Sequence, residues 1–243
     1  MTLTLPTRRD EDFRYADLTA LEALWPVAPE RIVVAPGETA ARSIVLDAPN
    51  DVARSLEIEL GAGAKFDLRV LNAGGAYGRL GLTVSLGERA EFHFGAAQLG
   101  SGEQTLEVVS TVRHAEPDAV SRQVVRSVLA GHATGTFLGK VEVARGADGT
   151  DAEQSVRAML LDRTATANAK PELEIFADDV KCAHGCAVGE LDQAALFYMA
   201  SRGLPPAEAK RLMLQAFIAE AFVGAADEEA LTAAALARLE TLV

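Results

Sequence analysis

The chain has 243 residues, of which 49% are hydrophobic and 24% charged, and its 23 Lys and Arg against 35 Asp and Glu give a net charge of −12. This acidic excess argues against a nucleic-acid-binding protein, which needs a basic surface to contact phosphates. The apolar fraction is large enough to build a folded core, so a wholly disordered chain is excluded as well.

Charged residues occupy positions 8–12 and no apolar stretch follows them, so no secretory signal is predicted. Glu220 interrupts the most apolar C-terminal stretch, so no membrane-spanning helix is expected either. Cys182 and Cys186 are the two cysteines of the sequence, too few for a disulfide framework. These features predict a cytoplasmic protein in a reducing compartment, without membrane association.

Residues 1–28 are predicted as a short N-terminal helical segment. Residues 11–25 mix charged side chains with Phe13, Leu18, Leu21 and Trp25, a pattern that predicts one short amphipathic helix before Pro26.

Residues 29–189 are predicted as a β core. Alternation of apolar and polar residues over 55–60 and 81–86 is typical of half-buried strands. Turns of the form Gly-x-x-Ala begin at Gly37, Gly61 and Gly87, with spacings of 24 and 26 residues. A strand–turn–strand unit repeated at this period favours a solenoid, in which each coil buries its apolar face on its neighbours, over an antiparallel sandwich.

Residues 190–243 are predicted to be helical. Asp192 is placed to cap a first helix that ends near Gly203, and a second helix begins near Pro206 and is expected to stop at Gly224. Its predicted apolar stripe is Ala209, Leu212, Met213, Ala216 and Phe217. A third helix is predicted from about Asp227, with a narrow stripe of Leu231, Ala235, Leu239 and Leu242.

Neither glycine-rich segment fits a nucleotide site. In the segment 131–140, Gly135 and Gly139 enclose three residues where a phosphate loop needs four, and Val141 stands where the magnesium-binding hydroxyl is required. The Gly61–Ala64 segment lacks the third glycine of a dinucleotide fingerprint and is followed by strands. The chain is therefore expected to bind no nucleotide.

Cys182, His184 and Cys186 alternate, so an extended Val180–Cys186 segment would place all three side chains on one face of a strand. Two thiols and an imidazole form a soft-metal or cluster ligand set. The alternatives are a structural role for these residues and a zinc-binding structural module.

The remaining polar candidates have simpler interpretations. Asp178 and Asp179 could serve as acid and base in a β-solenoid carbohydrate-active enzyme, although neighbours on a strand point to opposite faces and a turn-stabilising role is favoured. The isolated histidines, His93, His114 and His132, suit ordinary surface or core positions. Arg202 complements the negative end of its helix.

Several segments resemble the SufB/SufD family of iron–sulfur cluster assembly scaffolds. The most specific is Ala177–Gly185, whose Cys-x-His-Gly form is more similar to SufD than to SufB. The segments 170–175, 196–198, 201–204, 104–106, 126–129, 137–140 and 150–152 extend the resemblance, and Arg14-Tyr15 is similar to the N-terminal signature of the family.

The resemblance implies a right-handed parallel β-helix flanked by helices, without catalytic residues of its own. It implies a complex with SufB and the ABC-type ATPase SufC, and a transient iron–sulfur cluster where SufB and SufD meet. Cys182 and His184 would lie at that junction as transient iron or cluster ligands, and Arg202 near it. The C-terminal helices, with Leu212 and Phe217 as interface residues, would dock SufC. Whether the free chain forms a homodimer is left open.

Two departures limit what the resemblance implies. The chain is shorter than the longer members of the family and lacks much of their N-terminal helical region. Cys186 stands where the family more often has Ala, so no role is transferred to it.

Overall fold

The computed structural model describes residues 4–242, and within them the chain forms a short 3₁₀ helix, twelve strands and four α-helices. The 3₁₀ helix spans Glu11–Phe13 and the α-helices are α1 Leu18–Glu22, α2 Gln193–Ser201, α3 Pro206–Ala219 and α4 Glu228–Leu239. The strands are β1 Pro29–Val34, β2 Thr39–Leu46, β3 Val52–Leu60, β4 Lys65–Asn72, β5 Tyr77–Leu86, β6 Glu91–Gly100, β7 Thr105–His114, β8 Val120–Leu129, β9 Thr134–Val143, β10 Asp151–Leu160, β11 Thr166–Ile175 and β12 Lys181–Gly189.

The strands form a solenoid with two parallel sheets. The odd-numbered strands follow one another in one sheet, from β1 to β11, and the even-numbered strands do so in the other, from β2 to β12. Neighbouring strands pair in parallel, so each coil contributes one strand to each sheet and six coils stack along the axis. The predicted parallel β-helix is confirmed, and the antiparallel sandwich is wrong.

The repeat is longer and less regular than the glycine spacing indicated. Pro29 is in register with Ser55, which is a repeat of 26 residues, whereas Thr134 is in register with Thr166, a repeat of 32. The first coil turns between Ala35 and Glu38, so Gly37 is equivalent to Gly63 rather than to Gly61. The predicted first period of 24 residues is therefore two residues too short. The prediction aligned the glycines of two Gly-x-x-Ala segments that do not have equivalent positions in their turns.

The lumen between the sheets holds the main hydrophobic core. The inward side chains of successive coils lie directly on one another, as in the column Phe66, Phe92 on neighbouring strands, whose rings stack with centroids 6.3 Å apart. The lumen-facing Phe94, Leu68 and Val84 are fully buried. Each coil therefore completes the core of the coil before it.

The N-terminal segment covers the outer face of the odd-numbered sheet in two short pieces. The prediction of one helix over residues 11–25 is wrong, because the Asp17 side chain accepts hydrogen bonds from Thr19 and Ala20 and so starts a second helix. The buried Arg79 guanidinium lies 4.3 Å from the centre of the Phe13 ring and donates to the Asp12 carbonyl.

Arg79 is held in turn by a buried ion pair. Its guanidinium pairs with Glu107, whose other contacts are the Tyr77 hydroxyl and the backbone N–H of Asp17. Burial, followed by the Glu107 charge, raises the pKa of Tyr77, so its hydroxyl stays protonated and donates to the carboxylate. This network fixes the N-terminal segment to strands β5 and β7.

The C-terminal helices follow the predicted starts. Asp192 caps α2 by accepting from Ala194 at 2.8 Å and Ala195 at 3.3 Å, and Gly203 follows the helix with a φ of +88°. The predicted stop of the second helix is wrong, because α3 ends at Ala219 and a turn leads to Gly224. The stripe predicted for α4 is confirmed, with Leu231, Ala235 and Leu239 buried and Leu242 half-buried.

Helices α3 and α4 pack on the outer face of the even-numbered sheet. Leu214, Ile218 and Phe222 join Leu71 and Leu99 of the sheet in one apolar cluster. Arg126 of β8 donates to Glu220 at 2.6 and 2.8 Å, and Arg69 of β4 donates to the Ala221 carbonyl at 2.9 Å. The turn after α3 is thus bonded to the solenoid as well as packed on it.

None of the helices in the described part of the chain is both long enough and apolar enough to cross a bilayer.

The substitution Gly95→Ala is expected to loosen the turn that follows α3. A Cβ atom at Gly95 would overlap the carbonyl oxygen of Ala221 and the guanidinium of Arg69, so backbone must move. Forced overpacking of this kind costs about 1–3 kcal/mol. We expect a lower midpoint in urea unfolding and faster proteolytic cleavage near residues 220–226.

Gly81→Ala is the matched control, because the nearest atom to its Cβ, the Arg54 carbonyl oxygen, would lie at 3.9 Å. Equal stability of the two variants would show that the turn is free to shift.

Candidate functional site

The three candidate ligands lie on the last strand of the solenoid, facing the lumen. β12 pairs with β10 so that Cys182, His184 and Cys186 are in register with Ala152, Gln154 and Val156, respectively. These three β10 residues are buried with side chains directed into the lumen. The prediction that this segment is extended, with the three side chains on one face, is therefore confirmed. The strand is the last of its sheet, so these side chains lie at the open end of the solenoid.

Exposure of this row follows from its place at the end of the stack. Within residues 4–242, β12 and β11 each pair with one neighbour, and no further coil covers the lumen above them. Cys182 is half-buried and packs against the apolar cluster that contains Val141 and Ala152, whereas His184 and Cys186 are exposed. The same strand position that carries a buried Gln or Val in the preceding coil thus presents an imidazole and a thiol to solvent.

Both thiols are held in the protonated form. Burial raises the pKa of Cys182, with a further increase from the Asp151 carboxylate, and burial also raises the pKa of Cys186. The thiolate is the form that binds a metal or attacks an electrophile. Neither cysteine is therefore activated by its surroundings, and a bound metal would have to displace the thiol proton.

The row is straight, and this limits how it binds a metal. Alternate residues on a strand are roughly 6.6 Å apart, whereas ligand atoms lie about 2.0–2.3 Å from a bound iron or zinc ion. Two neighbours in the row can converge on one ion, but three cannot surround it. Within residues 4–242 no group of three or more His, Cys, Asp or Glu side chains is placed to hold a metal ion. The zinc-module interpretation therefore lacks a complete ligand set in the described chain.

The other candidates are distributed away from this row. Asp178 and Asp179 are exposed in a bend between β11 and β12, and the Asp179 carbonyl accepts from the Gly149 N–H at 2.7 Å. Arg202 follows α2, with its guanidinium 5.2 Å from the centre of the Tyr198 ring. These residues make no recorded hydrogen bond or ion pair with the row in the described chain, and the Asp179 backbone contact is structural.

The interface candidates on α3 have different environments. Leu212 is exposed, whereas Phe217 is half-buried with Arg126 over its ring at 5.9 Å. The stripe predicted for α3 is wrong in part: Ala209 is buried as predicted, but the other buried residues are Leu214 and Ile218, which lay outside the stripe. Leu212 and Ala216 consequently remain exposed on the side away from them.

A buried polar region below the row was missed from the sequence. Gln123 accepts from the Ser110 hydroxyl at 3.0 Å, and His114 lies 2.9 Å from the Ser121 hydroxyl. Burial lowers the pKa of His114 to about 4, so it is neutral. The repeated pattern Gln-x-Val-Arg, at 123–126 and 154–157, was the available signal, because it marks the same lumen position in consecutive coils.

Large apolar side chains are exposed in the last part of the chain. Phe176 follows β11, Val188 is the last residue but one of β12, and Phe197 and Tyr198 lie on α2, with 56%, 48%, 76% and 58% of their surfaces exposed, respectively. α2 buries no residue. An apolar surface of this kind is typical of a protein–protein contact.

Residues 51–217 match the sequence model of a family described as SUF system FeS cluster assembly, SufBD core domain. Among curated relatives, the chain is 36% identical over 167 residues to Protein ABCI7, chloroplastic, of Arabidopsis thaliana, 34% over 164 residues to an iron–sulfur cluster assembly SufBD family protein of Synechocystis, and 31% over 167 residues to the iron–sulfur cluster assembly protein SufD of Escherichia coli. These matches cover 65%, 67% and 68% of this chain, and 34%, 36% and 39% of the relatives, so the chain matches little more than a third of their length.

Alkylation of the two thiols should separate them by exposure and by pH. We expect Cys186 to react with N-ethylmaleimide roughly threefold or more faster than Cys182, and both to react slowly at pH 7 because their raised pKa values keep them protonated. Rates should increase as the pH rises past the ordinary thiol pKa. Mass spectrometry of each cysteine peptide, with the urea-unfolded chain as the reference, measures this; a Cys182 that reacts faster than its unfolded form at pH 7 contradicts it.

Proposed function

Because the chain belongs to the SufBD core family of the SUF system, we propose that it is a SufD-like scaffold subunit of iron–sulfur cluster assembly. In this proposal it is not an enzyme; it works in the cytoplasm and contributes ligands and surfaces to a complex. The observation that carries the proposal is the row of Cys182 and His184 at the open end of the solenoid. A partial ligand set at an exposed edge fits a site completed by a second protein.

The partner at this end would be a SufB-like subunit. In the described part of the chain, β11 and β12 each have an unpaired edge, which can accept a strand from another chain. The exposed Phe176 follows β11 and the exposed Val188 lies on β12. In the proposed complex, His184 supplies a neutral imidazole and Cys182 a thiolate to transient iron or to the nascent cluster, and the partner supplies the remaining ligands. Arg202 lies near this junction. Cys186 has no assigned role.

The helical tail would dock an ABC-type ATPase similar to SufC. Leu212 and Phe217 are the proposed contact residues on α3. Exposure of Leu212 on the side away from the sheet supports its role, whereas Phe217 is half-buried beside Arg126 of the sheet and offers the partner only its exposed part. Nucleotide binding and hydrolysis belong to that partner, because the chain itself has no phosphate loop.

His184→Ala should reduce the cluster content of the assembled complex without unfolding it. The side chain is exposed, so its removal costs little packing energy, while iron loses one ligand. The measurement is iron and acid-labile sulfide per complex co-expressed with the SufB-like and SufC-like partners, together with a thermal melt. We expect a several-fold loss for His184→Ala, an equal or smaller loss for Cys182→Ser, and wild-type content for Cys186→Ala. A His184→Ala complex with wild-type melting and cluster content would falsify the ligand role.

Leu212→Glu should weaken binding of the ATPase subunit by tenfold or more, because a charge would replace an apolar anchor at a desolvated contact. Val33→Glu is the matched control, since Val33 is also an exposed apolar residue but lies on β1, outside the tail. Titration of the purified chain with the ATPase by calorimetry measures both affinities. Equal affinity of the Leu212→Glu variant and the wild type places the ATPase elsewhere.

A further inference from the structure

Two residues that face each other across the lumen have equivalents at the same positions in every coil. In the last coil, one such pair of positions includes the candidate ligand His184. Ser110 of β7 faces Gln123 of β8, and its hydroxyl donates to the Gln123 amide oxygen at 3.0 Å. In the next coil the equivalent residues are Gly139 and Gln154. In the last coil they are Pro171 and His184.

Gln154 therefore occupies the position equivalent to Gln123, but it faces Gly139 where Gln123 faces the Ser110 hydroxyl. A Cβ atom placed on Gly139 would lie 2.9 Å from the Gln154 amide nitrogen, so the amide does reach across the lumen, where glycine offers no hydroxyl. Neither the amide oxygen nor the amide nitrogen of Gln154 has a hydrogen-bond partner among residues 4–242, although Gln154 is 1% exposed. A buried unpaired amide is costly, and one in a native structure calls for an explanation.

Gln154 has two polar neighbours in its lumen-facing column: Gln123 below it, whose amide nitrogen is also unpaired, and His184 above it. Adjacent parallel strands lie about 4.8 Å apart, so the side chains of Gln154 and His184 are within reach of each other. Pro171, which faces His184 across the last coil, has no polar side-chain atom to offer either residue. The imidazole of His184 forms no hydrogen bond with any of the described residues.

We propose that Gln154 is a positioning residue for His184: its amide oxygen accepts a hydrogen bond from one ring N–H and so leaves the other ring nitrogen free to bind a metal. The amide nitrogen of Gln154 then donates to Gln123, whose amide oxygen has a second lone pair beside the Ser110 contact. Histidine ligands are commonly oriented in this way by an acceptor on their second nitrogen. The hydrogen bond itself concerns this chain alone, while its use in metal binding rests on the proposed function.

The tautomer ratio of the His184 ring tests the hydrogen bond directly. Long-range ¹H–¹⁵N spectra of the full chain, with ¹⁵N-labelled histidine and at about pH 8.5, where imidazoles are neutral, report which ring nitrogen carries the proton. His184→Ala assigns the signal. We expect Gln154→Met, which keeps the length of the side chain and removes its hydrogen bonds, to shift the ratio by about fivefold, as one hydrogen bond predicts.

Gln98→Met is the matched control. Gln98 is a buried glutamine of the same sheet whose amide donates to the Thr136 carbonyl and accepts from the Ser127 hydroxyl. This variant should melt at a lower temperature than wild type and leave the His184 ratio within about twofold. If the His184 tautomer ratio shifts equally in both variants, the shift follows from loss of stability and not from a contact with Gln154. That result overturns the proposal.

An unchanged ratio in Gln154→Met also overturns it. If that variant fails to fold, the wild-type spectrum decides, because exposed His132 provides an unpositioned reference and an equal ratio for His184 and His132 contradicts positioning. These outcomes are read on the isolated chain. They are therefore separate from failure of the ligand role, which is read from the iron content of the His184→Ala complex.

Discussion

The structure depends on parallel coil-on-coil pairing, in which every inward side chain rests on its counterpart in the preceding coil. No coil buries its apolar side chains by itself, since each coil is covered by the coil before it and the coil after it. At the first coil, an ion pair covers the end of the lumen: Arg42 donates to both carboxylate oxygens of Glu30, at 2.5 and 3.0 Å. At the last coil the equivalent pair is Pro171 and His184, and nothing in the described chain closes it.

The outer faces of both sheets are covered by segments fixed through arginines. Arg79 and Glu107 bind the N-terminal segment to the odd-numbered sheet, and Arg126 binds the turn after α3 to the even-numbered sheet through Glu220. Ion pairs as buried as the first contribute little net stability compared with apolar packing, but they penalise any arrangement that leaves one charge unpaired. They therefore specify where the covering segments lie. Among the described residues, no such segment covers the open end.

The sequence predicted features that depend on local chemistry and failed where long-range register decides. Strand alternation, the Asp192 cap and the shared face of Cys182 and His184 follow from a few neighbouring residues, and all are confirmed. Gly37 was aligned two residues from its true equivalent, because a weak repeat drifts in length and composition cannot show where each coil closes. The unpaired Gln154 could not be identified from its own surroundings either, since its environment is defined by Gly139 on a different strand, one that register brings opposite it.

The column of facing lumen residues that ends at Pro171 and His184 changes character along the axis in a way that links stability to function. The facing pairs of the second and third coils are Leu56 with Leu68 and Leu82 with Phe94, all buried, whereas the later coils carry glutamines and finally a histidine. Apolar pairs of the early coils stabilise the stack through burial, at about 25 cal/mol per Å². Polar pairs near the open end give up part of that stabilisation, since a buried polar group must find a partner. A solenoid tolerates this loss at its end, because the coils beneath remain fully packed, and an end coil is also the place where polar residues of the lumen can meet a second protein.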